Sequence, residues 1–103
     1  MAYFHGLFSS VEDLLHEFEI TADEIKDLEI LYASYTYEDY SGSAFVLVRS
    51  NITKELFEVH GGHCSCNGIE GQWRLEPTTV KALLARPNVI PHVKELVRYA
   101  NFL

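Results

Sequence analysis

"EILYASYTYEDYSGSAFVLVRSNITKELFEVH", residues 29–60, decides the fold. Its first part, EILYASYTY, is rich in Tyr, Ile and Thr, residues that suit a pleated, half-buried surface. Alternation there places Leu31, Ala33, Tyr35 and Tyr37 on one face of a strand. EDYSGS reads as a turn. AFVLV, residues 44–48, is apolar on both faces, which predicts a central strand and not an edge. RSNITK turns the chain again, and ELFEVH makes a third strand. Further on, QWRLE (72–76) alternates, with Trp73 and Leu75 inward and Gln72, Arg74 and Glu76 outward. Strands are therefore expected near 29–37, 43–49, 54–60 and 71–76. The connections between them are too short for helical crossovers, so the sheet should be mainly antiparallel.

Helices flank this block. In SSVEDLLHEF, Ser9 and Glu12 have capping-box spacing, and Val11, Leu14, Leu15 and Phe18 form one apolar stripe. In ITADEIKDL, Thr21 and Glu24 form a second capping box, with Ile20 and Ile25 at the two positions of a hydrophobic staple. After the strands, Pro77 and Thr78 open TTVKALLAR, and Pro87 closes it. Asn88 caps a last predicted helix whose stripe is Val89, Val93, Leu96, Val97 and Ala100. Helices segregated from strands define an α+β class: a four-stranded, mainly antiparallel sheet flanked by N-terminal and C-terminal helices. At 103 residues and 48% hydrophobic, the chain makes one domain, 1–103, with one core.

No apolar run approaches the roughly 20 residues that span a bilayer, so no membrane association is expected. The start, MAYFHGLFSS, lacks the pattern of a secretory signal, and the two cysteines are too close to staple distant segments. Cytoplasmic residence is the expectation, and the NIT triplet at Asn51 is then a chance sequon. Charge is lopsided. Residues 1–40 hold ten acids and one base, Lys26, a balance of −9, while residues 41–103 balance at +2. Direct nucleic-acid binding needs clustered cations and is not expected. The acids Glu12, Asp13, Glu17, Glu19, Asp23, Glu24 and Asp27 suit a basic protein partner, or simply a solvated helical face. Tyr32, Tyr35, Tyr37 and Tyr40 are a candidate recognition patch, because aromatic side chains are enriched at interfaces, or are simply good strand formers.

HGGHCSCNGIEGQW, residues 60–73, concentrates the remaining chemistry. His60, His63, Cys64 and Cys66 are zinc-competent donors, although adjacent His63 and Cys64 would strain to reach one ion with Cys66. A distant ligand such as His92, His16 or His5 would complete such a site. Alternatively, a cysteine beside a histidine can be an activated thiol, but no orienting third residue is evident. The structural reading makes both cysteines small buried hydrophobes, with His63 bonding backbone groups and the glycines supplying unusual backbone angles. That reading leads, and on it the protein carries no cofactor. Trp73 in an alternating strand is expected in the core.

The stretch YTYEDYSGSAFVLV … LFEVHGGHCSCNGIEGQWRLEPTTVKALL, within residues 35–84, resembles a group of short proteins encoded by bacteriophages and prophages. In that group a strand runs into a GxHCSCxGxEGQW-type loop, and a TT-started helix follows. The resemblance covers about half the chain. It implies a phage origin and an accessory, host-directed role, and no mechanism. Small phage accessory proteins commonly bind and block host machinery. The expectation is thus a non-enzymatic protein that inhibits or redirects a host protein, in an anti-defence or host-takeover role, with a basic nucleic-acid-binding protein as the partner its acids suit. The alternatives are a zinc-binding protein and a small thiol-dependent enzyme.

Overall fold

In the computed structural model, which describes residues 3–6, 8–38, 41–63 and 69–85, the stretch from Leu28 to His63 forms three consecutive antiparallel strands. The elements in chain order are β1 (Tyr3–Gly6), α1 (Val11–Phe18), a 3-10 helix (Ala22–Ile25), β2 (Leu28–Glu38), β3 (Ser41–Ser50), β4 (Leu56–His63), β5 (Glu76–Thr78) and α2 (Val80–Ala85). The strands lie side by side in the same order, so β3 is central. Strands β2 to β5 are the expected four-stranded antiparallel sheet. The α+β class holds, with helices toward both ends.

The apolar double face of β3 explains the layering. Ala44, Val46 and Val48 join one core, with Phe8, Leu14 and Phe18 from the α1 side and Ile30, Ala33, Tyr35, Val59 and Ile69. Leu47 points the other way, into a smaller core with Leu31, Tyr32, Leu56 and Leu83. Leu83 comes from α2, so one helix covers each face. Leu14 and Phe18 are fully buried, each worth about 1.5–3 kcal/mol of transfer free energy.

Four local expectations are corrected. The cap of α1 is Ser10, not Ser9: Ser10 Oγ accepts from the Asp13 amide at 3.3 Å, while Ser9 donates both its amide and its hydroxyl to Asp13. In β2 the register with β3 slips between Ile30 and Tyr32. Such a bulge breaks strict alternation, so Ile30, not Leu31, shares a core with Ala33 and Tyr35. The fourth strand is Glu76–Thr78, not 71–76, and Leu75 is exposed. Finally, β1 was not foreseen, and it pairs with β2 in parallel. The path from β1 through α1 and the 3-10 helix to β2 is the helical crossover that parallel neighbours require.

Other expectations stand as read. The Thr21 capping box forms, the Glu24 carboxylate accepting from the Thr21 amide at 3.0 Å. Ile20 packs on the larger core, and Ile25 is buried. One does not: α2 opens at Thr79, whose hydroxyl accepts from the Ala82 amide at 3.0 Å, and not at Pro77 and Thr78, which lie in β5. The helix expected from Asn88 lies outside the described residues.

Gly6 sits where β1 meets β2, at φ +73°, and a Cβ there would press on the carbonyl of Tyr35. Gly6→Ala is expected to lose more than about 1 kcal/mol, from both the left-handed backbone and the clash. Urea unfolding checks this: the midpoint should fall, with the slope unchanged.

Candidate functional site

The acidic segment is fixed by its own capping chemistry. Glu12, Glu19, Asp23, Glu24 and Asp27 are exposed, and Asp13 and Glu17 are half-buried. Two of these seven hold structure: Asp13 closes the N-terminus of α1, and Glu24 closes the 3-10 helix. Carboxylates at such ends also meet the partial positive charge of unpaired amides. Among the described residues, none of Glu12, Glu17, Glu19, Asp23 and Asp27 is in an ion pair, so their charge is left to solvent or to a partner. Tyr32 and Tyr35 are buried in the two cores and form no exposed patch, while the side chain of Tyr37 and the whole of Tyr40 lie outside what is described.

At the far end of β4 the segments on either side of residues 64–68 are tied to each other. Strand β5 pairs only with Leu56–Glu58, so β4 runs on past it to His63 without that neighbour. Gln72 supplies the missing pairing with its side chain. The Gly62 amide donates to Gln72 Oε1 at 2.7 Å, and Gln72 Nε2 donates to the Gly62 carbonyl at 2.9 Å. A carboxamide has one donor face and one acceptor face, like a peptide group, and so can extend a ladder by one rung. Beside it Ile69 is fully buried over Gly61, where a Cβ would stand 3.1 Å from Ile69 Cγ2. Gly71 donates to the carbonyl of Phe18 at 3.3 Å, and Trp73 meets the Phe18 ring edge-on at 5.1 Å. Trp73 therefore packs on the core, as its sequence position suggested.

Of the four expected zinc donors, only His60 has a described side chain. Cys64 and Cys66 lie outside the described residues, as do His92 and the side chains of His63 and His5. His60 Nε2 lies 2.9 Å from Glu58 Oε1, with the Glu58 side chain only 5% exposed and the imidazole 51% exposed. The ring also stands edge-on to Phe45 at 5.2 Å. A carboxylate on one ring nitrogen fixes the ring and directs the other nitrogen away from it, the arrangement that metal-ligating histidines use. His16 is exposed on α1. No group of three or more His, Cys, Asp or Glu that could hold a metal ion occurs among the described residues.

Sequence reasoning missed Gln72 and Glu58. The two adjacent glycines at 61–62 were the available signal for Gln72, since backbone without side chains invites close approach. Glu58 had a weaker one, an acid two residues from a histidine on one strand face. No family model, curated protein or solved structure matches the chain.

Two expected outcomes follow from these contacts. Gln72→Glu keeps the shape but removes the donor facing the Gly62 carbonyl, and should cost about 1–2 kcal/mol and speed hydrogen exchange at the Gly62 amide. Unchanged exchange at Gly62 would remove the clamp from the account. The hydrogen bonds from the Ser9 side chain and then its backbone hold the Asp13 carboxyl below the ordinary aspartate value. Its folded value lies below its unfolded one, so the contribution is complete above the unfolded value and is lost as pH falls through the folded one. Asp13→Asn should thus be less stable than the parent at neutral pH, the two converging in acid; a constant gap down to full protonation would contradict this.

Proposed function

We propose that the chain is a small phage-encoded accessory protein that binds a host protein in the host cytoplasm and inhibits or redirects it, without catalysis of its own. The supporting observation is the exposure of unpaired acids on α1 and the 3-10 helix, in a segment whose first forty residues contain a single base. An acidic surface of this kind speeds encounter with a basic partner and discriminates against acidic ones. A nucleic-acid-binding host protein has the complementary charge. No described helix is long and apolar enough to cross a membrane.

The test uses only acids without a capping role. Glu12→Lys, Glu19→Lys and Asp23→Lys together leave the capping Asp13 and Glu24 in place, and circular dichroism checks that the variant folds. The triple variant should capture the host partner about tenfold more slowly at low salt, and its rate should depend less on salt. An association rate unchanged by the reversal would exclude this surface.

A second reading, zinc held through His60 with His63, Cys64 and Cys66, is favoured by the Glu58–His60 contact. On that reading the protein purifies with stoichiometric zinc, and a chelator destabilises it. Metal-free protein indifferent to chelator would exclude it.

A further inference from the structure

The corner where β4, β5 and α2 meet carries a groove of about 450 Å³, a size typical of ligand pockets. Leu56, Pro77 and Val80 give it a mainly apolar wall, with Lys54 and Lys81 among the residues that line it and Glu55 as its one acid. Leu56 is almost fully buried, and Val80 packs on the smaller core, so the wall continues that core to the surface. Both lysines are exposed, and neither is in an ion pair among the described residues.

Lys54 is also held in an unusual backbone state. Its φ is +67°, in the left-handed region where glycine or asparagine is less strained. The turn around it fixes that state: Lys54 donates to the Ser50 carbonyl at 2.9 Å, and Ser50 donates to the Glu55 carbonyl at 2.9 Å. A glycine here would relieve the backbone and remove the charge. The left-handed residue closes the turn between β3 and β4, and the turn in this way sets a cation at the groove.

We propose that this groove binds an extended peptide segment of a partner protein in which an apolar side chain is flanked by carboxylates. The apolar wall takes the side chain, and Lys54 and Lys81 meet the carboxylates. The occupant is assigned by charge: Lys54 and Lys81 outnumber the single acid Glu55, so the rim is cationic and favours a segment that carries carboxylates over a cationic one. The groove shares no residue with the acidic helices, so the two surfaces stand or fall separately.

The experiment is amide NMR of the full chain titrated with three capped tetrapeptides, Asp-Leu-Leu-Asp, Lys-Leu-Leu-Lys and Asp-Ser-Ser-Asp. The acidic apolar peptide should shift the amides of residues 54–56 and 78–81 saturably, while the other two leave them in place. Lys54→Glu combined with Lys81→Glu should weaken that binding by roughly fivefold or more, because two exposed charge pairs become two repulsions. Unchanged amides in β2 and β3 confirm that the variant folds. Equal binding of the lysine or serine peptide would overturn the assignment, as would shifts confined to other residues or none at all. Octanoate binding as tightly as the acidic apolar peptide would also overturn it, by making the ligand a small apolar acid. So would movement of the same amides with protein concentration alone, which would make the occupant a second copy.

Discussion

The constraint on which the structure depends is the two-sided apolar character of β3. A strand with Val46, Leu47 and Val48 all fully buried needs cover on both faces and a neighbour on both edges. The hairpins to β2 and β4 supply the edges. The faces require helices, and the chain has only two described α-helices to give, one before the sheet and one after it. This is why α1 precedes β2 and α2 follows β5, and why β1 is placed outside β2: a helix laid over the first face must be entered from somewhere, and β1 is that entry. On the α1 face the Phe8 ring stands 5.4 Å from that of Tyr35 and 6.1 Å from that of Phe18, centroid to centroid. Aromatic pairs of that kind contribute about 0.5–1.5 kcal/mol beyond their buried area.

Much of this was legible in the residues. The alternation of β2 to β4 and the stripe of α1 are local patterns, and local patterns survive folding unless something long-range overrides them. The bulge at Leu31 is such an override. Strict alternation cannot show an extra residue, which is chosen by what both faces must bury. Strand β1 was invisible for another reason: four residues, YFHG, carry no period, and their pairing with Tyr32–Tyr35 is set by a crossover that sequence spacing does not reveal. The strand expected at 71–76 and found at Glu76–Thr78 is the most instructive. QWRLE alternates as a strand would, yet Gln72 pairs through its side chain, so its neighbours are freed from the ladder and Leu75 is exposed.

The candidate site divides along the same line. Exposure of the acids followed from their places opposite an apolar stripe, but their separate duties did not. Asp13 and Glu24 are as acidic as Glu12 and Asp23, and only geometry distinguishes a cap from a free charge. For the His/Cys loop the sequence supplied donors, and the structure supplies anchors: Ile69 over Gly61 and Gln72 on Gly62.

Charge placement sets one more condition on the surfaces. The amide of Asn51 donates to the carbonyl of Asp27 at 2.8 Å, tying the turn that carries Lys54 to the end of the acidic segment. A chain of net charge −7 repels an anionic ligand at long range, so a cationic groove beside acids works only if the near field dominates. Screening decides this. At physiological ionic strength the Debye length is about 8 Å, and charges farther away are largely hidden while a lysine in contact is not. At low salt the screening length grows to about 30 Å near 0.01 M, and the net negative charge of the chain then acts on an anionic ligand from farther away. Attraction of a basic partner to α1 consequently weakens as salt rises, whereas at the groove salt lifts the long-range repulsion and weakens the lysine contacts together. An acidic protein can in this way present both signs of charge within one small domain, each effective at its own range.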